Sequence, residues 1–265
     1  MNPVLSTAYG LSDQQFNKLG PLLRVGSREE LVGKFQNDVG GSFGSFATKV
    51  VKQFDPKHWL HSTKHLGELK DNIKGKHEIT DETKDLARMV KETYKGVDSR
   101  QTEVAGHTLS KEDSDDWFSV YKNDANKKIV VGIRGTRDKA DIIPDLKIAA
   151  GTAKFDKDLN QYKGLKSKYK DYEFEVAGHS LGGSKAMFIG QDQDDKTHAF
   201  NPGYSYYLED NYNLQRDKLN LHVVDGDHVS NQILQEQPKN TTLYQKDSMI
   251  DPLKNHTISY FTGKG

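Results

Sequence analysis

The sequence predicts an α/β fold, a mostly parallel sheet flanked by helices, and three features point to it. Lys128 to Ile133 (KIVVGI) is a continuous β-branched run, the pattern of a strand buried on both faces. Tyr172 to Ala177 (YEFEVA) reads as a strand that runs straight into the glycine-rich segment Gly178 to Gly183 and then a helix. Strand and helix candidates alternate along the chain, which calls for a sheet covered on both sides.

The elements follow in order. Thr80, Asp81, Glu82 and Thr83 form a helix-start signal. Leu86, Ala87, Met89, Val90 and Tyr94 recur at near-helical spacing and Gly96 is a stop, so an amphipathic helix is expected over 81 to 95. Strands are expected at Trp117 to Tyr121 and Lys128 to Ile133, separated by the turn-forming Asn123 to Asn126. A helical segment over 156 to 170 precedes the Tyr172 to Ala177 strand, and Ala186 to Ile189 continue a helix beyond the glycines. Strands recur at His198 to Phe200 and Leu219 to Val224. There is no internal repeat.

A chain of 265 residues suits one sizeable core with an appended region. Residues 1 to 77 read as a basic, glycine-containing N-terminal extension, mainly helical or irregular, ahead of a main domain at 78 to 265. The extension carries VGGSFG at Val39 to Gly44, and seven lysines between Lys49 and Lys76 against Asp55, Glu68 and Asp71. Its expected state is a solvated arm packed on the main domain. His58, His61 and His65 have helical metal spacing but lack a carboxylate or second-shell partner, so no metal is expected.

Lys and Arg (38) balance Asp and Glu (38), so no global field attracts polyanions and no nucleic-acid partner is expected. The absence of cysteine excludes disulfides, thiolate nucleophiles and Cys-ligated zinc. Met1 to Gly20 lacks a basic region followed by an apolar run. Nothing downstream approaches the roughly 20 apolar residues of a membrane span. Secretion and membrane insertion are therefore disfavoured, and an intracellular residence is expected.

The sharpest chemical signal is G-x-S-x-G at Gly178, Ser180 and Gly182, placed where a strand meets a helix. A serine hydroxyl is a poor nucleophile unless it is lifted from the sheet, set beside a base and given oxyanion donors. Small residues two before and two after Ser180 keep side chains from colliding across so tight a corner, and Gly183 lets the helix approach the sheet. A phosphate-binding loop is excluded, because Ser184 and Lys185 stand in exchanged order. The plain alternative is a glycine-rich turn with a structural serine. Against it stands Gly132 to Thr136 (GIRGT) at the end of the earlier buried strand. A tetrahedral intermediate needs two converging N–H donors, and Leu181 and Thr136 fit those positions.

These segments, with DIIPDL at Asp141 to Leu146, AFNPG, VVDGDHVS and NHTISYF, resemble in order the class 3 lipase family, over roughly residues 85 to 262. Within it the wording is most similar to lipase-like proteins of large DNA viruses and protists, which adds a virion-associated residence to the expectation. The resemblance implies an α/β-hydrolase fold, Ser180 as nucleophile, Thr136 and Leu181 as oxyanion hole, and Gly178, His179, Gly182 and Gly183 as the elbow. It implies Asp227 as the acid, with Asp225 as rival and Ser230 where the family usually has proline. His256, the last histidine, would be the base, and no cofactor is needed. His179 is expected to pack beneath the turn, and His198, His222 and His228 to be structural. Asp192, Asp194 and Asp195 lack the glycine of a calcium loop and read as a solvated turn.

The expected reaction is hydrolysis of acyl esters of lipids, or of small esters, through an acyl-enzyme, with a peripheral lipid-surface contact left open. The family's lid would correspond to Arg137 to Leu146, whose apolar content is modest. A lipase-like fold serving as a structural or binding component of an assembly is the alternative, prompted by the basic segment 39 to 76. Thioester or amide cleavage by the same triad also stays open.

Overall fold

The computed structural model describes Ser27 and residues 78–136, 155–203, 212–227, 229–230, 233–236, 238–245 and 255–263. Residues 1–77, Ser27 apart, residues 137–146, expected as a lid, and His228 lie outside the described residues. So do the expectations attached to them, including the His58, His61, His65 spacing.

Eight strands form one sheet in sequential order. β1 (Glu103–Val104), β2 (His107–Leu109), β3 (Phe118–Asn123) and β4 (Lys128–Ile133) pair antiparallel in succession. From β4 onward every pairing is parallel, through β5 (Glu173–His179), β6 (Lys196–Phe200), β7 (Leu219–Val224) and β8 (Thr241–Tyr244). Parallel neighbours require crossovers. Those from β4 to β5 and from β5 to β6 carry α2 (Asp156–Lys168) and α3 (Leu181–Gln193). Crossovers of one hand advancing in one direction put their helices on the same face, and α2 and α3 share a core there. The opposite face is covered by α1 (Asp81–Glu92) and the 3₁₀ turn Ile258–Tyr260.

Two-sided burial explains the apolar run of β4. Val130 joins Tyr121, Ala177, Phe200, Val224 and Tyr244 against Leu86, Met89 and Val90 of α1, with Ile258 and Phe261 closing that layer. Ile129, Val131 and Ile133 point the other way, with Val120, Phe174 and Val176, onto Leu159, Tyr162 and Leu165 of α2 and Ala186 and Ile189 of α3. Each of these side chains contributes about 1.5–3 kcal/mol by leaving water.

Helix α1 begins where Thr80 accepts a hydrogen bond from the Thr83 amide at 3.2 Å, with Asp81 and Glu82 in the first turn. It stops at Glu92 rather than at residue 95, because the chain must turn to bring Tyr94 toward the sheet. Buried Arg100 fastens that turn, donating to the carbonyls of Lys95, Phe118 and Asp115. The strand expected at 117 to 121 runs from 118 to 123, and the Asn123 side chain closes its turn by accepting from the Asn126 amide at 3.0 Å. β1, β2 and β8, absent from the sequence reading, are short strands on the flanks of the sheet.

A buried polar row crosses the α1 face. Glu175 contacts Lys128 and lies 2.8 Å from His198 Nε2. His198 Nδ1 is 2.9 Å from His222 Nε2, and His222 Nδ1 is 3.0 Å from the Tyr244 hydroxyl. Burial alone would raise the Glu175 carboxyl, but His198 and Lys128 against it pull it down to about 2. Burial holds His222 far below the usual imidazole range, hence neutral. Glu82, Glu175 and His198 offer ligand atoms within 4.8 Å of one another, but the Lys196 ammonium lies 2.7 Å from Glu82 and 3.3 Å from Glu175 and fills the cation's role. Asp192, Asp194 and Asp195 pair with Lys163, Lys218 and Lys166 at 2.7 to 2.8 Å, so each carboxylate already faces a cation. No described helix is long and apolar enough to cross a membrane.

Candidate active site

Ser180 stands between the last residue of β5 and the first of α3, at φ 58° and ψ −125°. That backbone region is strained for a residue with a side chain, at about 1–3 kcal/mol, and persists only where the surroundings enforce it. Here they do. The Ser180 amide donates to Phe200 O of β6 at 3.1 Å, while Ser180 O accepts from the amides of Gly183, Ser184 and Gly203 at 2.9, 3.2 and 2.9 Å. The corner is so tight that a Cβ on Gly178 would overlap the Gly182 carbonyl. Lys185 faces away from any phosphate role, paired with Asp158 at 3.0 Å and stacked over the Trp117 ring.

The hydroxyl so presented meets a base. His256 Nε2 is 2.9 Å from Ser180 Oγ, and His256 Nδ1 is 3.0 Å from each carboxylate oxygen of Asp227. All three side chains are buried. Asp227, placed just after β7 by the turn at Gly226 (φ 78°), is the carboxylate at the imidazole. Asp225 instead continues the sheet, its amide donating to Tyr244 O at 2.8 Å. Burial would raise the Asp227 carboxyl, but His256 beside it and hydrogen bonds from His256, Ser230 and the Val229 amide keep it below its ordinary value. It is therefore an anion that holds a proton on His256 Nδ1 and leaves Nε2 free to accept from the serine.

The Gly132 to Thr136 segment ends beside the serine. A Cβ on Gly135 would lie 2.9 Å from Ser180 Cβ and 2.7 Å from His179 O. Thr136 follows, half-buried, and its Oγ1 is shielded from solvent with no hydrogen-bond partner among the described residues. Leu181, the first residue of α3, has no carbonyl one helical turn behind it to receive its amide. These are the donors that a developing oxyanion would require.

Four neighbouring residues brace this arrangement, and of these the sequence reading placed only His179, beneath the elbow. Ser230 donates to Asp227 Oδ2 at 2.5 Å. Asn201, buried and at φ 39°, ties β7 to the histidine loop: its Oδ1 accepts from the Val224 amide at 2.8 Å and its Nδ2 donates to Asn255 O at 2.7 Å. His179 lies beneath the elbow as expected and also contacts Tyr94 and the His256 carbonyl. The only sequence signal for Asn201 and Ser230 was their presence inside AFNPG and VVDGDHVS, and Tyr94 carried none beyond its helical spacing.

The solved structures similar to this one include the Lip2 lipase from Yarrowia lipolytica, at 16% identity over 57% of this chain and 74% of that one, with a TM-score of 0.39. A mono- and diacylglycerol lipase from Aspergillus oryzae aligns at 18% identity over 59% and 74%, with a TM-score of 0.40. A triacylglycerol lipase from Penicillium expansum aligns at 19% over 64% and 79%, with a TM-score of 0.39. These are fungal proteins, and nothing in the comparisons supports the viral or protist flavour of the sequence reading. No curated protein matches the chain. The mostly parallel sheet flanked by helices, with a serine elbow after a central strand, is an α/β-hydrolase architecture. Residues 151–198, which hold α2, β5, the Ser180 elbow and the whole of α3, match the family model described as lipase (class 3).

Proposed function

We propose that the protein is a serine ester hydrolase that cleaves acyl esters of lipids through Ser180, His256 and Asp227. The observation that carries this reading is the continuous contact from Ser180 Oγ to His256 Nε2 at 2.9 Å and from His256 Nδ1 to Asp227 at 3.0 Å. As Ser180 Oγ bonds to the ester carbonyl carbon, its proton passes to His256 Nε2, and Asp227 stabilises the imidazolium without taking the proton. The carbonyl oxygen becomes an oxyanion facing the Thr136 and Leu181 amides, with the Thr136 hydroxyl, which has no partner among the described residues, available as a third donor. Collapse breaks the ester C–O bond, and the alcohol leaves with the proton returned by His256. Water then repeats the sequence on the acyl-enzyme, releasing the acid and restoring Ser180.

The substrates that this reading favours are acyl esters, from small soluble esters to lipids, with contact at a lipid surface made peripherally. The alternative of a lipase-like scaffold draws on residues 39–76, outside the described residues, and nothing at the site favours it. Labelling by a fluorophosphonate probe, followed by a panel of p-nitrophenyl esters and acylglycerols, tests the proposal. Wild type is expected to label and to hydrolyse esters, and Ser180→Ala to do neither. Labelling that survives the substitution would overturn it.

A further inference from the structure

Three pieces of the site come from distant parts of the chain: the Gly135–Thr136 loop after β4, the elbow after β5, and the His256 loop near the C-terminus. One run of hydrogen bonds joins all three. The Gly135 amide donates to the Tyr94 hydroxyl oxygen at 2.9 Å. That oxygen lies 2.7 Å from His179 Nδ1, and His179 Nε2 lies 2.5 Å from the His256 carbonyl oxygen.

The protons along this run can be assigned from chemistry alone. A carbonyl oxygen only accepts, so His179 Nε2 must carry a hydrogen. His179 is buried, and burial with His256 beside it lowers the ring to about 3, so it is neutral and owns a single N–H proton. Nδ1 is therefore bare and accepts from the Tyr94 O–H. The tyrosine oxygen, its own proton spent on His179, receives the Gly135 amide. Each N–H and O–H along the run has one acceptor, and the order Gly135 to Tyr94 to His179 to His256 runs in a single direction.

We propose that Tyr94 and His179 are positioning residues that lock the oxyanion loop and the base to each other through this directed run of hydrogen bonds. The inference rests on the hydrolase reading above, and deepens it. Tyr94 anchors the amide next to Thr136, so the oxyanion donor cannot drift from Ser180. His179 holds the His256 backbone while Asn201 holds the preceding carbonyl, that of Asn255, so the imidazole meets Ser180 with its peptide fixed on both sides. Tyr94 and His179 touch neither substrate nor reacting atoms, and their effect belongs in kcat rather than in substrate binding.

The test measures kcat and KM on a soluble short-chain ester for wild type, Tyr94→Phe, His179→Gln, the double variant and Ser180→Ala. Activity is normalised to the end-point of fluorophosphonate titration, so that only folded, competent sites are counted. A trifluoromethyl ketone, which adds Ser180 to give a tetrahedral oxyanion, is titrated in parallel. Tyr94→Phe is expected to lower kcat per titrated site about 10- to 100-fold with KM within about twofold, and to weaken the ketone by a similar factor. His179→Gln, which can keep a donor near the His256 carbonyl but loses the Tyr94 link, is expected to fall comparably. The double variant is expected to be no worse than about threefold below either single one, because both substitutions cut the same run. Unchanged kcat per site in Tyr94→Phe, or strictly multiplicative losses, with Ser180→Ala inactive, would overturn this proposal and leave the hydrolase reading standing. Hydrolysis at the wild-type rate by Ser180→Ala would overturn both.

Discussion

Two pairs of buried histidines lie among the described residues, and one of them adjoins Ser180. The rings of His179 and His256 are 5.0 Å apart, and those of His198 and His222 are 5.2 Å apart. Burial does not separate them, since all four are at most 5% exposed. What separates them is the atom that each nitrogen faces. His198 and His222 stand inside β6 and β7, and their nitrogens are committed to Glu175, to each other and to Tyr244. His256 stands in a loop beyond the strand ends, with an anion at Nδ1 and a serine hydroxyl at Nε2. An imidazole does acid–base work only where one nitrogen faces a group that can exchange a proton with substrate. A strand interior does not offer that.

The comparison is broken most sharply by truncating one histidine from each pair. His256→Ala is expected to lower kcat about 10⁴-fold or more while the melting temperature changes little. His222→Ala is expected to reverse the pattern. It orphans His198 and Tyr244 inside the sheet and costs about 2–4 kcal/mol of stability, while kcat per titrated site stays within a few-fold. Chemical denaturation alongside esterase kinetics on both variants decides the matter. A large kcat loss in His222→Ala at full folding would erase the distinction.

The next effect appears as pH changes. His179 and His222 are both held neutral in the fold, with pKa values below the unfolded 6.5. The unfolded chain therefore binds more protons below that pH, so stability rises with pH there and falls on acidification. Each histidine is expected to contribute a slope of about 1.4 kcal/mol per pH unit below about pH 6.5. Glu175 and Asp227 are shifted down as well, so their stabilisation is complete above their unfolded values of 4.5 and 3.8 and is lost only in stronger acid, for Glu175 toward about 2. Denaturant midpoints measured from pH 7 to 5.5 stay above the unfolded carboxyl values. His222→Phe should flatten the slope there by up to about 1.4 kcal/mol per pH unit, and an unchanged slope would show that His222 is not a group responsible.

The smallest expected effect lies at the acid. Ser230→Ala removes the hydrogen bond at Asp227 Oδ2 and leaves the His256 and Val229 contacts. A fall in kcat of about 10-fold, with KM unchanged, is expected from one lost bond to a charged group. Equal kcat would mean that the remaining donors suffice to hold the carboxylate.

Much of this protein is legible along the chain. The continuous apolar run of β4 carries its own boundaries, because its side chains are buried on both faces of the sheet. The Gly178 to Gly183 corner likewise announces itself, since only small residues survive so close an approach. β8, reading Thr241–Tyr244, does not announce itself: four residues without strong alternation become a strand only because β7 offers them a parallel edge. The stop of α1 at Glu92 depends in the same way on Arg100, which no helical periodicity contains.

What the order of residues determined by itself was therefore local: which segments could be buried, where the backbone could turn so sharply, and which hydroxyl that turn would present. What only the folded arrangement decided was which partner each polar atom found. Asp227 rather than Asp225 meets His256, Ser230 steadies that carboxylate, and Tyr94 reaches His179 across 85 positions of chain. The reason is range. Steric and hydrophobic preferences act over a few neighbouring residues and leave a periodic trace, whereas a hydrogen bond depends on two atoms closing to about 3 Å, a distance set by the packing of all the elements between them.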